Sequence, residues 1–252
     1  MVARAIKGAT MTVSLVTGAG SGIGAATATA LAARGDKVVC VDLDGARAAA
    51  TAADLDGAIA ISADITSEDD SDRMVERTLD QFGRLDVLVA CAGIEISGNA
   101  LDVDVATFRQ VVDVNLTGSF LSAQRAARVM RNQDTGGAIV LIGSINSQIA
   151  LPGATAYCSS KGGVLMLGRA LAVDLAPFGI RVNIIGPGVT DTPMSAEMLA
   201  DPELAPTFLG RIPLRRAADP AEIANAAAFL TSADASYVNG AYLPVDGGWL
   251  AG

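Results

Sequence analysis

Tyr157 and Lys161 are the two residues whose types and spacing point most directly to chemistry. They stand four positions apart at the start of a segment of helical character, so their side chains lie on one face of the predicted helix. Tyrosine, with a pKa of about 10, is a poor base at neutral pH. An ammonium about 4 Å away favours the phenolate by up to roughly 4 kcal/mol, or about three pKa units before screening. The pair therefore predicts a general acid and base built on Tyr157, with Lys161 lowering its pKa.

Ser144 is predicted to face the same pocket. It follows the predicted fifth strand, Ala138–Ile142, at the carboxyl edge where a parallel sheet presents ligands. A serine there can donate to a carbonyl oxygen while Tyr157 supplies or removes the proton, so that two oriented donors hold a developing alkoxide. Such an arrangement suits the interconversion of a ketone and an alcohol.

The composition excludes several other kinds of site. The chain has no histidine, so Ser–His and Cys–His nucleophile systems are excluded. Its three cysteines, Cys40, Cys91 and Cys158, lie far apart without CxxC spacing, and no metal site is expected. The general base must therefore be a tyrosine, a lysine, a carboxylate or a cysteine.

A glycine-rich turn from Thr17 to Gly24 joins the first predicted strand to an alanine-rich helix that reaches about Arg34. Glycines allow backbone N–H groups to approach a pyrophosphate closely, and the helix dipole favours an anion at this position. A glycine-rich turn alone is a weak indication, because an ordinary strand-to-helix turn can have the same composition. Its position directly after the first strand favours nucleotide binding.

Asp42 ends the second predicted strand, about twenty residues beyond this turn. A carboxylate there accepts hydrogen bonds from the adenosine ribose hydroxyls, and it would repel the 2′-phosphate of NADP. No Arg or Lys stands in the glycine turn or directly after Asp42. The alternatives are a solvated carboxylate at a strand end and a helix cap, although Asp44 is the better cap candidate. The sequence therefore predicts NAD as the cofactor, which carries the hydride.

The elements that position these residues alternate between short β-branched runs and longer helical segments. Continuous apolar strands joined by helices imply a parallel sheet that is covered on both faces. We predict an α/β, doubly wound parallel sheet (Rossmann fold) of about seven strands, forming a single domain over residues 1–252, with ligands at the carboxyl ends of the strands. The predicted strands are Val13–Val16, Lys37–Val41, Ala58–Ile61, Val87–Ala90, Ala138–Ile142, Arg181–Ile185 and Ala241–Val245.

Charge and hydropathy indicate where the protein is located and which classes of partner are not expected. The net charge of −9 leaves no basic stripe for phosphates, so nucleic acid is not an expected partner. No apolar run reaches the length of about 18 residues that spans a membrane, and residues 1–10 show no signal-peptide pattern. We expect a cytoplasmic protein with no membrane partner.

The long irregular stretch at about 186–216 is predicted to be the substrate loop, with one or two short helices. Its apolar residues favour an apolar or alicyclic alcohol or ketone, although a lid also needs such residues merely to pack. Any of Arg211, Arg215 and Arg216 can bind a carboxylate, sulfonate or phosphate, or can form a surface salt bridge instead. The apolar residues of this loop are Met194, Met198, Leu199, Leu204, Phe208, Leu209, Ile212 and Leu214.

Taken together and in order, these motifs resemble those of the short-chain dehydrogenase/reductase family from Thr17 to Gly248. Ser144, Tyr157 and Lys161 match three catalytic residues of the family. Asn115, in Val-Asn-Leu, matches its catalytic asparagine, which holds a water for proton relay beyond the lysine. Cys91-Ala92-Gly93 matches an Asn-Ala-Gly segment, and cysteine replaces the asparagine that supports the central strand. We expect activity to survive this replacement.

The resemblance also implies which residues bind the cofactor. Asp64, in Ala-Asp-Ile, matches the residue that meets the adenine, and the segment from Pro187 to Pro193 matches the one that contacts the nicotinamide amide, with Thr192 as the donor. Transfer on the B face of the nicotinamide and a homotetramer are further expectations. The cofactor-binding residues implied by the motifs are Gly18, Ser21, Gly22, Ile23, Gly24, Asp42, Asp64, Ile65, Ala92, Gly93, Tyr157, Lys161, Pro187, Gly188, Thr190 and Thr192.

Three functions remain open at this point. The first is an NAD-dependent dehydrogenase acting on a secondary alcohol or its ketone. The second is a 3-oxoacyl-type reductase of fatty-acid or polyketide metabolism, which ordinarily prefers NADPH and a basic surface. The third is a nucleotide-sensing protein without catalysis, which would have a broken tyrosine–lysine pair. The intact pair and Asp42 favour the dehydrogenase.

Overall fold

The computed structural model describes residues 11–133 and 135–252. Their strands form one seven-stranded parallel sheet. The strand order is β3-β2-β1-β4-β5-β6-β7, so the chain runs outward from β1, returns to place β4 beside β1, and runs outward again. This reversal opens a crevice at the carboxyl ends of β1 and β4. The strands are β1 (Val13–Thr17), β2 (Lys37–Asp42), β3 (Ile59–Ser62), β4 (Val87–Ala90), β5 (Gly137–Ile142), β6 (Ile180–Pro187) and β7 (Tyr242–Val245).

Nine α-helices of the described ranges connect and cover these strands. A π-helical turn at Asp113–Thr117 joins α4 to α5 without a break in the chain's helical path. The helices are α1 (Gly22–Ala33), α2 (Gly45–Ala53), α3 (Glu68–Phe82), α4 (Val105–Val112), α5 (Gly118–Asn132), α6 (Thr155–Leu175), α7 (Ala196–Ala200), α8 (Leu204–Arg211) and α9 (Pro220–Thr231).

The predicted doubly wound α/β sheet is confirmed, and each of the seven strands lies within two residues of its predicted bounds. The largest difference is at the end of β6, which continues to Pro187 because Gly186 and Pro187 pair with Pro244 and Val245 of β7. The strand therefore extends into the start of the predicted substrate loop.

Alternate residues of the strands face two separate apolar clusters, one on each side of the sheet. Leu15 and Leu141 contribute to the cluster under α3, α5 and α6, whereas Val16 and Ile142 contribute to the one under α1, α2 and α9. Both faces of the sheet are thus buried, as continuous apolar strands predict. The carboxyl edge is left as the place where polar side chains gather.

The stretch between β6 and α9 contains two short helices, α7 and α8, as the sequence analysis allowed. Among the described residues, no helix combines the length and the apolar character needed to cross a membrane. The expectation about a signal peptide in residues 1–10 concerns residues outside the described ranges.

Candidate active site

The glycine turn lies at the carboxyl end of β1 and is packed too closely for side chains. Gly18 has φ +66°, and a Cβ there would lie 2.8 Å from the Cα of Ala92. Gly22 begins α1 with φ +50°, and a Cβ there would lie 3.1 Å from the Thr192 methyl group. Ser21 precedes the helix and makes no side-chain cap, so the N–H groups of the first turn, which also contains Ile23 and Gly24, are free to bind an anion.

Asp42 is held directly against this turn. One carboxylate oxygen accepts from the N–H of Gly20 at 2.9 Å, and the other accepts from the N–H of Asp44 at 3.0 Å. Asp44, not Asp42, caps α2, since its side chain accepts from the N–H groups of Ala46 and Arg47. The carboxylate of Asp42 is therefore fixed beside the glycine turn, where a ribose of a dinucleotide would lie.

Arg47 is a cation near this position that the sequence analysis missed. Its Cβ would lie 2.7 Å from a Cβ on Gly20, and its guanidinium pairs with the exposed carboxylate of Asp44 at 3.2 Å. The first turn of α2 brings residue 47 back towards the glycine turn, a proximity that a search of the directly adjacent positions does not detect. A cation is thus available beside Asp42, although it is engaged by Asp44.

The loop after β3 places Asp64 and Ile65 differently from each other. One oxygen of Asp64 accepts from both the N–H and the hydroxyl of Thr66, at 2.9 and 2.7 Å. The side chain of Ile65 is buried, and a Cβ on Gly118 would lie 2.5 Å from its Cδ1. Asp64 keeps one carboxylate oxygen without a hydrogen bond from the described residues, whereas Ile65 has only its backbone left to offer a ligand.

Cys91 lies at the carboxyl end of β4, beside the glycine turn. Burial raises the pKa of its thiol to about 12, and a hydrogen bond with Thr27 and the charge of Lys161 lower it only in part. The N–H of Ala92 donates to the hydroxyl of Thr17 at 3.3 Å. Thr17 and Thr27 thus supply polar contacts around the cysteine that stands in place of the family's asparagine.

Asn115 is fully buried in the π-helical turn and binds the loop after β4. Its amide oxygen accepts from the N–H of Ile94 at 2.8 Å, and its amide nitrogen donates to the carbonyl of Ile94 at 2.9 Å. The same nitrogen donates to the hydroxyl of Ser160 on α6 at 3.0 Å. A Cβ on Gly93 would lie 3.1 Å from the Asn115 amide oxygen and 3.5 Å from the Lys161 ammonium nitrogen. Asn115 therefore joins this loop to the helix that carries Tyr157 and Lys161.

Ser144 follows β5, where the chain turns into a short 3₁₀ helix at Ile145–Ser147. It is buried, and its hydroxyl accepts from the N–H of Asn146 at 3.1 Å. Its main-chain carbonyl accepts from the hydroxyl of Tyr242 on β7 at 2.7 Å. These bonds fix Ser144 at the sheet edge from two directions, and the sequence analysis did not identify Tyr242.

Tyr157 and Lys161 lie on one face of α6, with the ammonium nitrogen 5.6 Å from the centroid of the tyrosine ring. That nitrogen also donates to the carbonyl of Ile142 at 2.9 Å. Burial raises the pKa of Tyr157, the Glu95 carboxylate raises it further, and a hydrogen bond with Ser144 lowers it. Burial lowers the pKa of Lys161 to about 8, against the charges of Cys91 and Glu95.

The direction of the Tyr157 shift differs from the sequence prediction. The i,i+4 spacing indicates the ammonium's attraction for the phenolate but not the loss of the phenolate's hydration on burial. Burial is the largest influence on both groups, and it disfavours the charged form of each. Spacing alone could not reveal this, because burial depends on the surrounding elements.

Glu95 is a further acidic residue at this site that the sequence analysis missed. It follows Ile94 in the loop after β4 and is exposed to solvent. Enough protein still surrounds the carboxyl group that burial raises the pKa of Glu95, while the charge of Lys161 lowers it. Its position just after the Cys91-Ala92-Gly93 segment, at the carboxyl end of a strand, was a usable indication.

The segment after β6 meets the glycine turn. Thr190 is buried, and its hydroxyl donates to the carbonyl of Gly188 at 3.2 Å. The hydroxyl of Ser195 accepts from the N–H of Thr192 at 3.1 Å and donates to main-chain carbonyls of this turn. A Cβ on Gly188 would lie 2.8 Å from the Cα of Asp246, so Pro187 and Gly188 run tightly past β7.

The three arginines of the predicted substrate loop at about 186–216, called the lid below, have different environments. Arg216 forms two hydrogen bonds with Glu222, at 2.6 and 2.7 Å, which is the salt bridge that the sequence analysis gave as one alternative. Arg215 donates to the carbonyl of Gly210 and has a left-handed backbone with φ 60°. Arg211 lies 4.7 Å above the ring of Trp249 and has no ion pair among the described residues. Arg211 is thus available for an anionic ligand without breaking an ion pair or a side-chain hydrogen bond within the described ranges.

Part of the lid packs into an apolar cluster next to Ser144. Ile145, Ile212 and Trp249 are its buried members, and Phe208 and Leu209 of α8 pack against them. Other apolar lid residues are exposed, namely Met194, Leu204 and Leu214. Within residues 11–133 and 135–252, no group of His, Cys, Asp and Glu side chains is arranged to hold a metal ion.

Comparison with known proteins places this geometry in a family. A family model described as enoyl-(acyl carrier protein) reductase matches residues 18–250. The chain is 41% identical over 247 residues to a 2-(R)-hydroxypropyl-CoM dehydrogenase of Xanthobacter autotrophicus, covering 95% of this chain and 98% of the relative. It is 44% identical over 243 residues to a cis-4-hydroxycyclohexanecarboxylate dehydrogenase of Sinomonas cyclohexanicum, covering 95% and 96%. The solved structure of gox2181 superposes with a TM-score of 0.94 at 36% identity, covering 97% of each chain. The chain therefore belongs to the short-chain dehydrogenase/reductase family, oxidoreductases that use a nicotinamide cofactor.

Proposed function

We propose that this protein is an NAD-dependent dehydrogenase that transfers a hydride between a secondary alcohol, or its ketone, and nicotinamide. The observation that carries the proposal is the grouping of Tyr157, Lys161 and Ser144 at the carboxyl edge of the sheet: the Lys161 ammonium nitrogen lies 5.6 Å from the Tyr157 ring, and the Ser144 hydroxyl lowers the pKa of the phenol. A nicotinamide, when bound, supplies the hydride acceptor or donor.

In alcohol oxidation, Tyr157 takes the hydroxyl proton as the hydride leaves the carbinol carbon. Ser144 donates to the same substrate oxygen and holds it in line with the phenol. Lys161 favours the phenolate while its ammonium is charged. Asn115 is assigned to a water-mediated proton relay beyond Lys161. Its side-chain amide already has protein partners, so its carbonyl, which also accepts from Ser119, is the atom left for water.

The geometry of the nucleotide end supports NAD. The pyrophosphate fits the free N–H groups at the start of α1, and the residues around the glycine turn leave no room for side chains. Asp42, fixed by Gly20, would accept from the ribose hydroxyls and repel a 2′-phosphate. Asp64 would meet the adenine with its free oxygen. Ala92, Gly93, Thr190 and Thr192 line the path towards the nicotinamide.

The proposed substrate has an apolar or alicyclic body that packs against the cluster of Ile145, Ile212 and Trp249. The two relatives act, by their names, on hydroxypropyl-CoM and on hydroxycyclohexanecarboxylate. Both of these substrates are aliphatic or alicyclic alcohols with a substituent away from the carbinol carbon. Arg211, above Trp249, is the lid cation to which an anionic substituent of that kind can bind.

A cytoplasmic homotetramer is proposed as the working form. Three free cysteines suit a reducing compartment. Exposed apolar side chains on neighbouring helices support self-association, with Phe120 on α5 and Met166 and Val173 on α6.

A reductase of acyl chains is the second candidate, because the matching family model carries that description. Asp42 and the net charge of −9 count against it, since such an enzyme ordinarily uses NADPH and binds an acidic carrier. A purely nucleotide-sensing protein predicts a broken catalytic pair, whereas Tyr157 and Lys161 stand together.

The test measures absorbance at the reduced-nicotinamide band with purified protein, NAD or NADP, and a panel of cyclic, aromatic, steroidal and charged secondary alcohols. Tyr157→Phe should abolish turnover while NAD binding stays nearly unchanged, and Tyr237→Phe, at a fully exposed position, serves as the matched control. A substantial residual rate in Tyr157→Phe would move the base elsewhere. Silence across the panel in the wild type with NAD still bound would favour the sensor.

A further inference from the structure

The two residues before Glu95 pack against the catalytic site. The preceding residue, Ile94, exchanges two hydrogen bonds with the buried amide of Asn115, at 2.8 and 2.9 Å. Two residues before Glu95, a Cβ on Gly93 would lie 3.5 Å from the Lys161 ammonium nitrogen. The backbone that carries Glu95 is therefore fixed against Asn115 and close to Lys161.

The carboxylate of Glu95 has no structural partner. It forms no hydrogen bond and no ion pair with any residue in the described ranges, and its side chain is exposed to solvent. Its charge raises the pKa of Tyr157 and that of Lys161, although it forms no hydrogen bond or ion pair with either. A ligand that enters the site can reach this acceptor.

The same charge acts against the proposed chemistry. An ionised Glu95 disfavours the phenolate form of Tyr157, because two like charges are brought close in a partly enclosed site. An acid that opposes the base and supports nothing in the fold is best explained by a contact with the substrate. A carboxylate accepts strong hydrogen bonds from hydroxyl groups.

We propose that Glu95 determines specificity by accepting a hydrogen bond from a second substrate hydroxyl, one or two carbons away from the carbon that is oxidised. This inference rests on the proposed dehydrogenase function. The favoured substrates are 1,2- or 1,3-diols with an aliphatic or alicyclic body, and the corresponding hydroxyketones. The negative charge disfavours a carboxylate next to the reacting carbon, as in 2-hydroxy acids. An anionic group at the far end of a longer substrate remains compatible, because Arg211 lies on the lid.

The experiment compares kcat/KM for matched alcohols that differ by one hydroxyl, cyclohexane-1,2-diol against cyclohexanol and butane-2,3-diol against butan-2-ol. The proteins are the wild type, Glu95→Gln, Glu95→Ala and the control Glu76→Gln, which makes the same charge change at an exposed position of α3. In Glu95→Ala, the preference for diol over alcohol should fall about 10- to 100-fold, as expected for a lost hydrogen bond to a charged group. Glu95→Gln keeps an acceptor but no charge, so its loss should be intermediate.

If Glu95 had a merely structural role, Glu95→Ala would lower kcat/KM for the diol and for the alcohol alike. With the proposed role, it lowers kcat/KM for the diol selectively, mainly by raising KM. The turnover of 2-hydroxybutanoate relative to that of butan-2-ol should rise in Glu95→Gln and should not change in Glu76→Gln. An unchanged diol-to-alcohol ratio in an active Glu95→Ala would overturn the inference and leave the dehydrogenase function standing. If the wild type, with NAD bound, turns over neither alcohol nor diol, the proposed function and the inference both fail.

Discussion

The hydroxyl of Tyr242 on β7 donates a 2.7 Å hydrogen bond to the main-chain carbonyl of Ser144, which follows β5. The ring reaches across the intervening strand, β6, at Gly186, where a Cβ would lie 2.1 Å from the tyrosine oxygen. Burial raises the pKa of Tyr242 to about 12, and the charge of Asp246 raises it as well, so the hydroxyl stays a donor at neutral pH. Tyr242 is thus a positioning residue that holds Ser144 from the far side of β6.

Removing this donor should loosen Ser144 without disturbing the nucleotide end. In Tyr242→Phe, kcat/KM for the alcohol should fall roughly three- to tenfold, the equivalent of about 0.7–1.4 kcal/mol for one hydrogen bond. The dissociation constant for NAD should stay unchanged, because the hydrogen bond that is removed goes to Ser144 and not to a residue of the glycine turn. Steady-state kinetics and a binding titration measure the two quantities.

Tyr237→Phe is the matched control, since Tyr237 is fully exposed and should show wild-type kinetics. Equal losses for the alcohol and for NAD binding in Tyr242→Phe would indicate general damage to the sheet edge instead of a displaced Ser144.

Cofactor choice should depend on Asp42 and, through it, on Arg47. Asp42→Ala removes the carboxylate that would repel a 2′-phosphate and leaves Arg47, whose Cβ adjoins Gly20 and whose guanidinium pairs with Asp44. The NADP-to-NAD ratio of kcat/KM should rise at least about tenfold, which corresponds to roughly 1.4 kcal/mol. The double variant Asp42→Ala with Arg47→Ala should lose much of that gain, because the glycine turn itself contains no Arg or Lys.

Arg47→Ala alone controls for loss of the Asp44 ion pair and should leave NAD use nearly unchanged. An unaltered cofactor ratio in Asp42→Ala would mean that another feature selects NAD.

The comparison of sequence and structure separates local patterns from contacts between distant residues. The seven strands and the place of Tyr157, Lys161 and Ser144 follow from apolar runs, helical spacing and the rule that ligands meet strand ends. Tyr242 was missed because it is 98 residues from Ser144 and the bond exists only once β7 has joined the sheet. The direction of the Tyr157 pKa shift was missed for the same physical reason, since burial is a property of the assembled fold.

Thiol reactivity should distinguish the three cysteines. Burial raises the pKa of Cys40 to about 11 and that of Cys91 to about 12, so at pH 8 about one thiol in a thousand or fewer is the reactive thiolate. Native protein treated with iodoacetamide at pH 8 should carry at most one label, on the partly exposed Cys158, as read by peptide mass spectrometry. Labelling after unfolding, when all three thiols should react, provides the control. Cys91 is half-buried like Cys158, so modification of Cys91 in the folded protein would show that its thiol pKa is lower than burial makes it.

The pH dependence of the two reaction directions should differ in sign. Alcohol oxidation requires the phenolate of Tyr157, and because burial raises the pKa of this phenol, kcat/KM should increase with pH through the neutral range. Ketone reduction requires the protonated phenol, so its kcat/KM should stay level near neutrality and decline only at alkaline pH. A carboxylate base would give oxidation that is already level at neutral pH.

Glu95→Gln should move this profile because the Glu95 charge raises the pKa of Tyr157. With cyclohexanol, a substrate lacking the second hydroxyl, the rise in oxidation should occur at lower pH and the rate at pH 7 should increase severalfold. The gain should shrink above about pH 8, since Glu95 also raises the pKa of Lys161 and its loss leaves that amine less often charged. It should also vanish in acid, where burial already keeps Glu95 protonated at a higher pH than usual. Glu76→Gln should keep the wild-type profile, and an identical profile in Glu95→Gln would place the Glu95 carboxylate too far from the phenol to act on it.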